Sequence, residues 1–64
     1  MMNATQKQMT EMVKWVTDYE CTEKQAQYLE YRYTLNQLKD ILGKIELEWG
    51  DRNERAFLGE LNRH

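Results

Sequence analysis

The sequence predicts an all-α protein: a helical hairpin plus a short third helix, forming a small three-helix bundle that dimerises through its long central helix. Three observations carry this expectation. There is no proline and there are only three glycines in 64 residues, so strong helix formers occupy most positions. Apolar residues recur at helical spacing. One stretch also keeps a seven-residue repeat.

The first helix is expected over residues 4–20. Met9, Met12, Val13, Val16 and Tyr19 form its apolar stripe, which Trp15 widens. Lys7 with Glu11, and Lys14 with Asp18, stand four apart as exposed pairs. Such pairs contribute only a few tenths of a kcal/mol, so the apolar face decides.

The second helix is expected over 23–49. Thr22-Glu23-Lys24-Gln25 has the form of a capping box, and the short junction before it turns the chain into an antiparallel hairpin. Tyr28, Tyr31, Leu35, Leu38, Leu42, Ile45 and Trp49 follow at spacings that alternate three and four, an a/d heptad seam. The predicted helix has about 27 residues and a length of about 40 Å, and Gly43 would permit a bend in it. Gly50 then reads as a helix stop and Asp51 as the next cap, opening a third helix over 52–62. Ala56, Phe57, Leu58 and Leu61 give that helix one apolar side.

The first helix is too short to cover the whole seam. The seam is then either the core of a monomer, with the third helix folded back on it, or a surface shared by two copies. Length mismatch and small size favour the homodimer. Its self-association residues would be Tyr31, Leu35, Leu38, Leu42 and Ile45. Trp49, Tyr33, Leu29 and Leu47 are the candidates for contact with another partner, three of them off the seam and Trp49 at a helix end.

Composition excludes several functions. Nine basic and eleven acidic residues give a net charge of −2. The balance is −1 over residues 1–21, −1 over 22–50 and 0 over 51–64, with the signs interleaved. No basic patch is present to favour nucleic acid or an anionic membrane surface. No apolar run approaches the ~20 residues of a membrane span. The first residues lack the pattern of a signal peptide, so the expected compartment is the cytoplasm. One cysteine, Cys21, and one histidine, His64, leave no zinc-type ligand set. Carboxylates near Cys21 would raise its thiol pKa rather than activate it. Neither a nucleophile–base pair nor a phosphate-binding glycine loop appears, so no enzyme activity, cofactor or metal is expected.

The stretch from Thr22-Glu23-Lys24-Gln25 through Tyr28-Leu29-Glu30-Tyr31-Arg32-Tyr33 loosely resembles the first helix of sigma-factor region-four-type helix-turn-helix domains, over about a dozen of the 64 residues. That resemblance implies a turn and then a recognition helix rich in Ser/Thr and basic residues. The chain departs from it at Lys44-Ile45-Glu46-Leu47-Glu48-Trp49, which is acidic where phosphates would be met. The leading expectation is therefore a non-enzymatic regulator or inhibitor that binds a larger protein, in the style of phage and mobile-element accessory proteins. The alternative is a small DNA-binding transcriptional regulator with a degenerate helix-turn-helix.

Overall fold

Helix starts dominate the local structure, and three of them are built alike. A computed structural model of the protein describes residues 1–47 and 52–64. Among the described residues the chain forms four helices and no strand: α1 (Ala4–Thr17), α2 (Glu23–Arg32), α3 (Leu35–Leu47) and α4 (Arg52–Asn62). The all-helical expectation holds, and the third predicted helix corresponds to α4. The continuous second helix does not hold: it is two helices joined at Tyr33 and Thr34. The expected stop at Gly50 and cap at Asp51 lie outside the described residues.

Each of α1, α2 and α3 opens with a capping box closed by glutamine. Asn3 Oδ1 accepts the Gln6 backbone N–H at 2.8 Å, and Gln6 Oε1 accepts the Asn3 N–H at 3.2 Å. Thr22 and Gln25 repeat the exchange at 3.1 and 2.9 Å. Thr34 and Gln37 do so at 3.1 and 3.0 Å. Each box satisfies donors that the first helical turn leaves without an intrahelical partner.

The Thr34 box explains the break in the predicted long helix. Thr34-Leu35-Asn36-Gln37 carries the same signature as Thr22 to Gln25, and it lies inside the heptad run. Tyr33 is extended (φ −129, ψ 149), and its N–H closes α2 on the Leu29 carbonyl. Its hydroxyl also donates to Glu60, and its ring meets Phe57 at 6.3 Å. Tertiary anchoring thus fixes a junction where sequence alone contains no proline or glycine.

The break also rephases the seam. α3 keeps the predicted face, burying Leu38, Leu42 and Ile45. α2 instead buries Gln25, Ala26 and Leu29, so the predicted Tyr28 is only half-buried and Tyr31, two residues and about 200° beyond Leu29, is exposed. α1 buries Gln6, Met9 and Val13, and α4 buries Phe57 and Leu61. α1 and α4 each pack on both α2 and α3, so the four apolar faces close one core.

α1 ends at Thr17, three residues earlier than predicted. Asp18 takes the left-handed conformation (φ 62) and donates its N–H to the Lys14 carbonyl at 2.8 Å. A short polar side chain tolerates that geometry better than most. Since Asp18 has left the helix, Lys14 pairs with Glu20 at 2.8 Å rather than with Asp18 as expected.

Candidate binding groove

α1 and α3 lie side by side, and their contact leaves an open groove of about 390 Å³ on the outer face. Gln8, Glu11, Met12, Trp15 and Val16 contribute from α1. These positions recur at three and four residues, so they form one edge of that helix. Lys39, Leu42, Gly43 and Glu46 contribute the facing edge of α3. The floor is apolar, where Met12, Val16 and Leu42 meet the core. Glu11, Glu46 and Lys39 place both signs of charge on the groove's walls.

Trp15 is 87 % exposed on the edge of this groove. The sequence reading put it on the buried stripe, and the geometry corrects that. Trp15 follows Val13 by two residues, about 200° around the helix, so it cannot share Val13's buried direction. Leu47, four residues beyond Gly43 on α3, is 81 % exposed. Gly43 lies within α3, and a Cβ built there would meet nothing within 4 Å. Its φ is not positive either, so among the described residues neither crowding nor backbone conformation demands glycine.

Other candidates named from sequence are distributed differently. Leu38, Leu42 and Ile45 are buried within the chain by α1 and α4, so they are not free to form a seam with a second copy. Leu35 is half-buried against the same core. Tyr31, expected on the seam, is 88 % exposed because α2 is rephased. Leu29, expected as a contact residue, is fully buried and closed to any partner. Tyr33 is half-buried and engaged with Glu60, Leu47 is open to solvent, and Trp49 lies outside the described residues. Sequence reasoning missed Trp15 as a surface residue, and missed Met12, Glu11 and Gly43 as parts of one groove. Only the α1–α3 pairing brings these together.

A second polar cluster ties α2 to α4. Glu60 accepts hydrogen bonds from the hydroxyls of Tyr28 and Tyr33, and Arg32 approaches it at 4.0 Å. The Tyr28 phenol is pushed up to about 12, first by donating to Glu60 and then by burial. The Tyr33 phenol is raised mainly by burial, with Glu60 adding to it. His64 stacks on Tyr28 with ring centroids 3.7 Å apart. These contacts hold the C-terminal helix in place and leave Glu60 occupied by its neighbours.

Cys21 is half-buried, and burial raises its thiol pKa. The expected direction is right but its cause is burial rather than nearby carboxylates. Among the described residues no group of three or more His, Cys, Asp or Glu side chains is placed to hold a metal. No described helix is long and apolar enough to cross a membrane. Fold and groove together define a small protein, all-α among the described residues, with an apolar-floored groove open between α1 and α3. No family model, curated protein or solved structure matches this chain.

Proposed function

We propose that this is a non-enzymatic protein that regulates or inhibits a larger protein by binding it, with the α1–α3 groove as the docking surface. The observation behind this reading is Trp15, an exposed tryptophan beside an apolar groove floored by Met12, Val16 and Leu42. Tryptophan contributes disproportionately to binding energy when it is buried at an interface. A side chain of that size gains little from standing in water. Leu47 prolongs the apolar character of the α3 edge.

The alternative, DNA binding through α2 and α3 as a helix pair, draws on the short Tyr33–Thr34 junction between them. Charge weighs against it. The exposed residues of α3 include Lys39 and Lys44 but also Asp40 and Glu46, so phosphates would meet both signs.

Affinity capture with the wild-type protein and with Trp15→Glu tests the proposal. A partner retained by the wild type and lost by the variant is the expected result. Equal retention by both would place the contact elsewhere. A tight, salt-sensitive shift of duplex DNA would favour the alternative.

A further inference from the structure

We infer that the α1–α3 groove receives an amphipathic helix with basic edges, one of whose Lys or Arg side chains seats on the Trp15 ring between Glu11 and Asp18. This rests on reading the groove as a protein-docking surface, and it names the chemistry of the segment that docks.

The walls select a helix. Both are helices themselves, so their main-chain groups are already engaged in their own hydrogen bonds. Among the described residues there is no strand edge with which an extended segment could pair. A helix brings its backbone already satisfied and needs only an apolar floor. Gln8 and Val16 mark the ends of the α1 wall, a span of about 12 Å along the helix axis. That length suits about two turns of a partner helix, whose apolar side would meet Met12, Val16 and Leu42.

Charge selects a basic one. Glu11 stands on the α1 wall, and Lys39 and Glu46 stand on the α3 wall. Past Trp15 the surface continues into a second hollow lined by Glu11, Lys14, Trp15 and Asp18. Lys14 is engaged there by Glu20, whose carboxylate it meets at 2.8 Å. That leaves three carboxylates, Glu11, Asp18 and Glu46, around the apolar floor against the one ammonium of Lys39. Among the described residues none of these four takes part in a salt bridge. A segment with basic edges meets attraction at three of the four positions, and an acidic one meets repulsion there.

Trp15 sharpens the preference. Its side chain is 87 % exposed, with Glu11 one turn before it and Asp18 just after it at the helix end. The face of an indole ring attracts a cation. A guanidinium or ammonium set on this ring has the two carboxylates beside it as well. Asp18 is available for this because its left-handed conformation takes it off α1, while Lys14 turns to Glu20.

Titration calorimetry of the full chain against two synthetic peptides tests the inference. Both carry the same helical leucine pattern, with arginine at every polar position of one and glutamate at those of the other. The arginine peptide is expected to bind and the glutamate peptide is not. Trp15→Ala should weaken the arginine peptide roughly thirtyfold, as losing a hot-spot residue does, with an unchanged helical circular dichroism spectrum. Glu11→Gln, Asp18→Asn and Glu46→Gln should each weaken it too. Asp40→Asn is the control: it removes a charge from α3 at a residue that does not line the groove, and it should bind like the wild type. Equal binding of the two peptides, tighter binding of the glutamate peptide, or binding of neither overturns the basic helix, while the capture experiment still judges the groove. Arginine-peptide binding that survives Trp15→Ala, or that Asp40→Asn weakens as much as Glu11→Gln, reports net charge alone and overturns it equally. A chain that sediments by itself at twice 7.8 kDa, and as a monomer in Trp15→Glu, overturns it in favour of a second copy.

Discussion

Gln25 donates from Nε2 to the backbone carbonyl of Leu61 at 3.1 Å while its Oε1 holds the Thr22 N–H at 2.9 Å. One buried amide thus starts α2 and caps a carbonyl near the end of α4. Tyr19 joins the pair, its hydroxyl accepting from Gln25 Nε2 at 2.8 Å and donating to Asn62 Oδ1 at 3.0 Å.

Replacing Gln25 with alanine strands the Leu61 carbonyl and the Thr22 N–H together. The expected loss is about 1–3 kcal/mol, or a fall in melting temperature of about 4–8 °C per kcal/mol in a chain of this size. Gln25→Glu should be more harmful still near neutral pH, because it keeps the acceptor, removes the donor and buries a charge. Thermal denaturation of the two variants checks the order. Equal stability to wild type would show that the α2–α4 bridge contributes nothing.

Thr34→Ala should cost about 1 kcal/mol, the usual effect of losing a hydroxyl cap. The loss should be local, with faster amide exchange at the start of α3 than at the start of α1. Thr34→Asp should retain most of the stability, since it caps as well and places negative charge at a helix N-terminus. Exchange rates that rise uniformly over the chain would contradict a local role.

Alkaline titration should reveal the two phenols on Glu60. Both have higher pKa values in the folded chain than the ordinary 10.0, and Tyr28 stands at about 12. A group whose folded pKa is raised contributes stability in full below its unfolded pKa and loses it as pH climbs through the folded value. Stability should therefore be insensitive to these phenols near neutrality and decline between about pH 10 and 12. In Tyr28→Phe with Tyr33→Phe that decline should be smaller. Denaturation midpoints measured against pH, with ultraviolet absorbance following the phenolates, decide the matter.

Cys21 should react slowly with an alkylating reagent in the folded protein. Burial raises its thiol pKa and lowers the fraction present as thiolate. Denaturation should accelerate the reaction. Equal rates before and after denaturation would mean that the thiol is not shielded.

Much of the local fold was legible because helix signals are short-range. The Thr22 box, the helical composition and the buried face of α3 could all be read directly from residues close in sequence. The Thr34 box was equally legible but lay beneath a stronger pattern, since Leu35, Leu38, Leu42 and Ile45 continue the repeat begun by Tyr28 and Tyr31. A repeat reports spacing and cannot say whether the backbone stays helical between its members. What holds the break is Tyr33 meeting Glu60 and Phe57, residues more than twenty positions away. The groove was illegible for a similar reason. Trp15 and Gly43 acquire a shared role only once α1 lies against α3, and no local pattern encodes that pairing.

The choice of glutamine in all three boxes has a chemical consequence. Helix starts are often closed by glutamate, whose grip on the cap weakens when acid protonates it. Here Asn3, Thr22 and Thr34 meet Gln6, Gln25 and Gln37, and none of these six side chains carries an ionisable proton. The exchanges that close the first turns of α1, α2 and α3 therefore contain no group for acid to protonate, and what braces the α1 box from outside is a carboxylate of another helix, Glu30, which accepts from Asn3 Nδ2 and Gln6 Nε2.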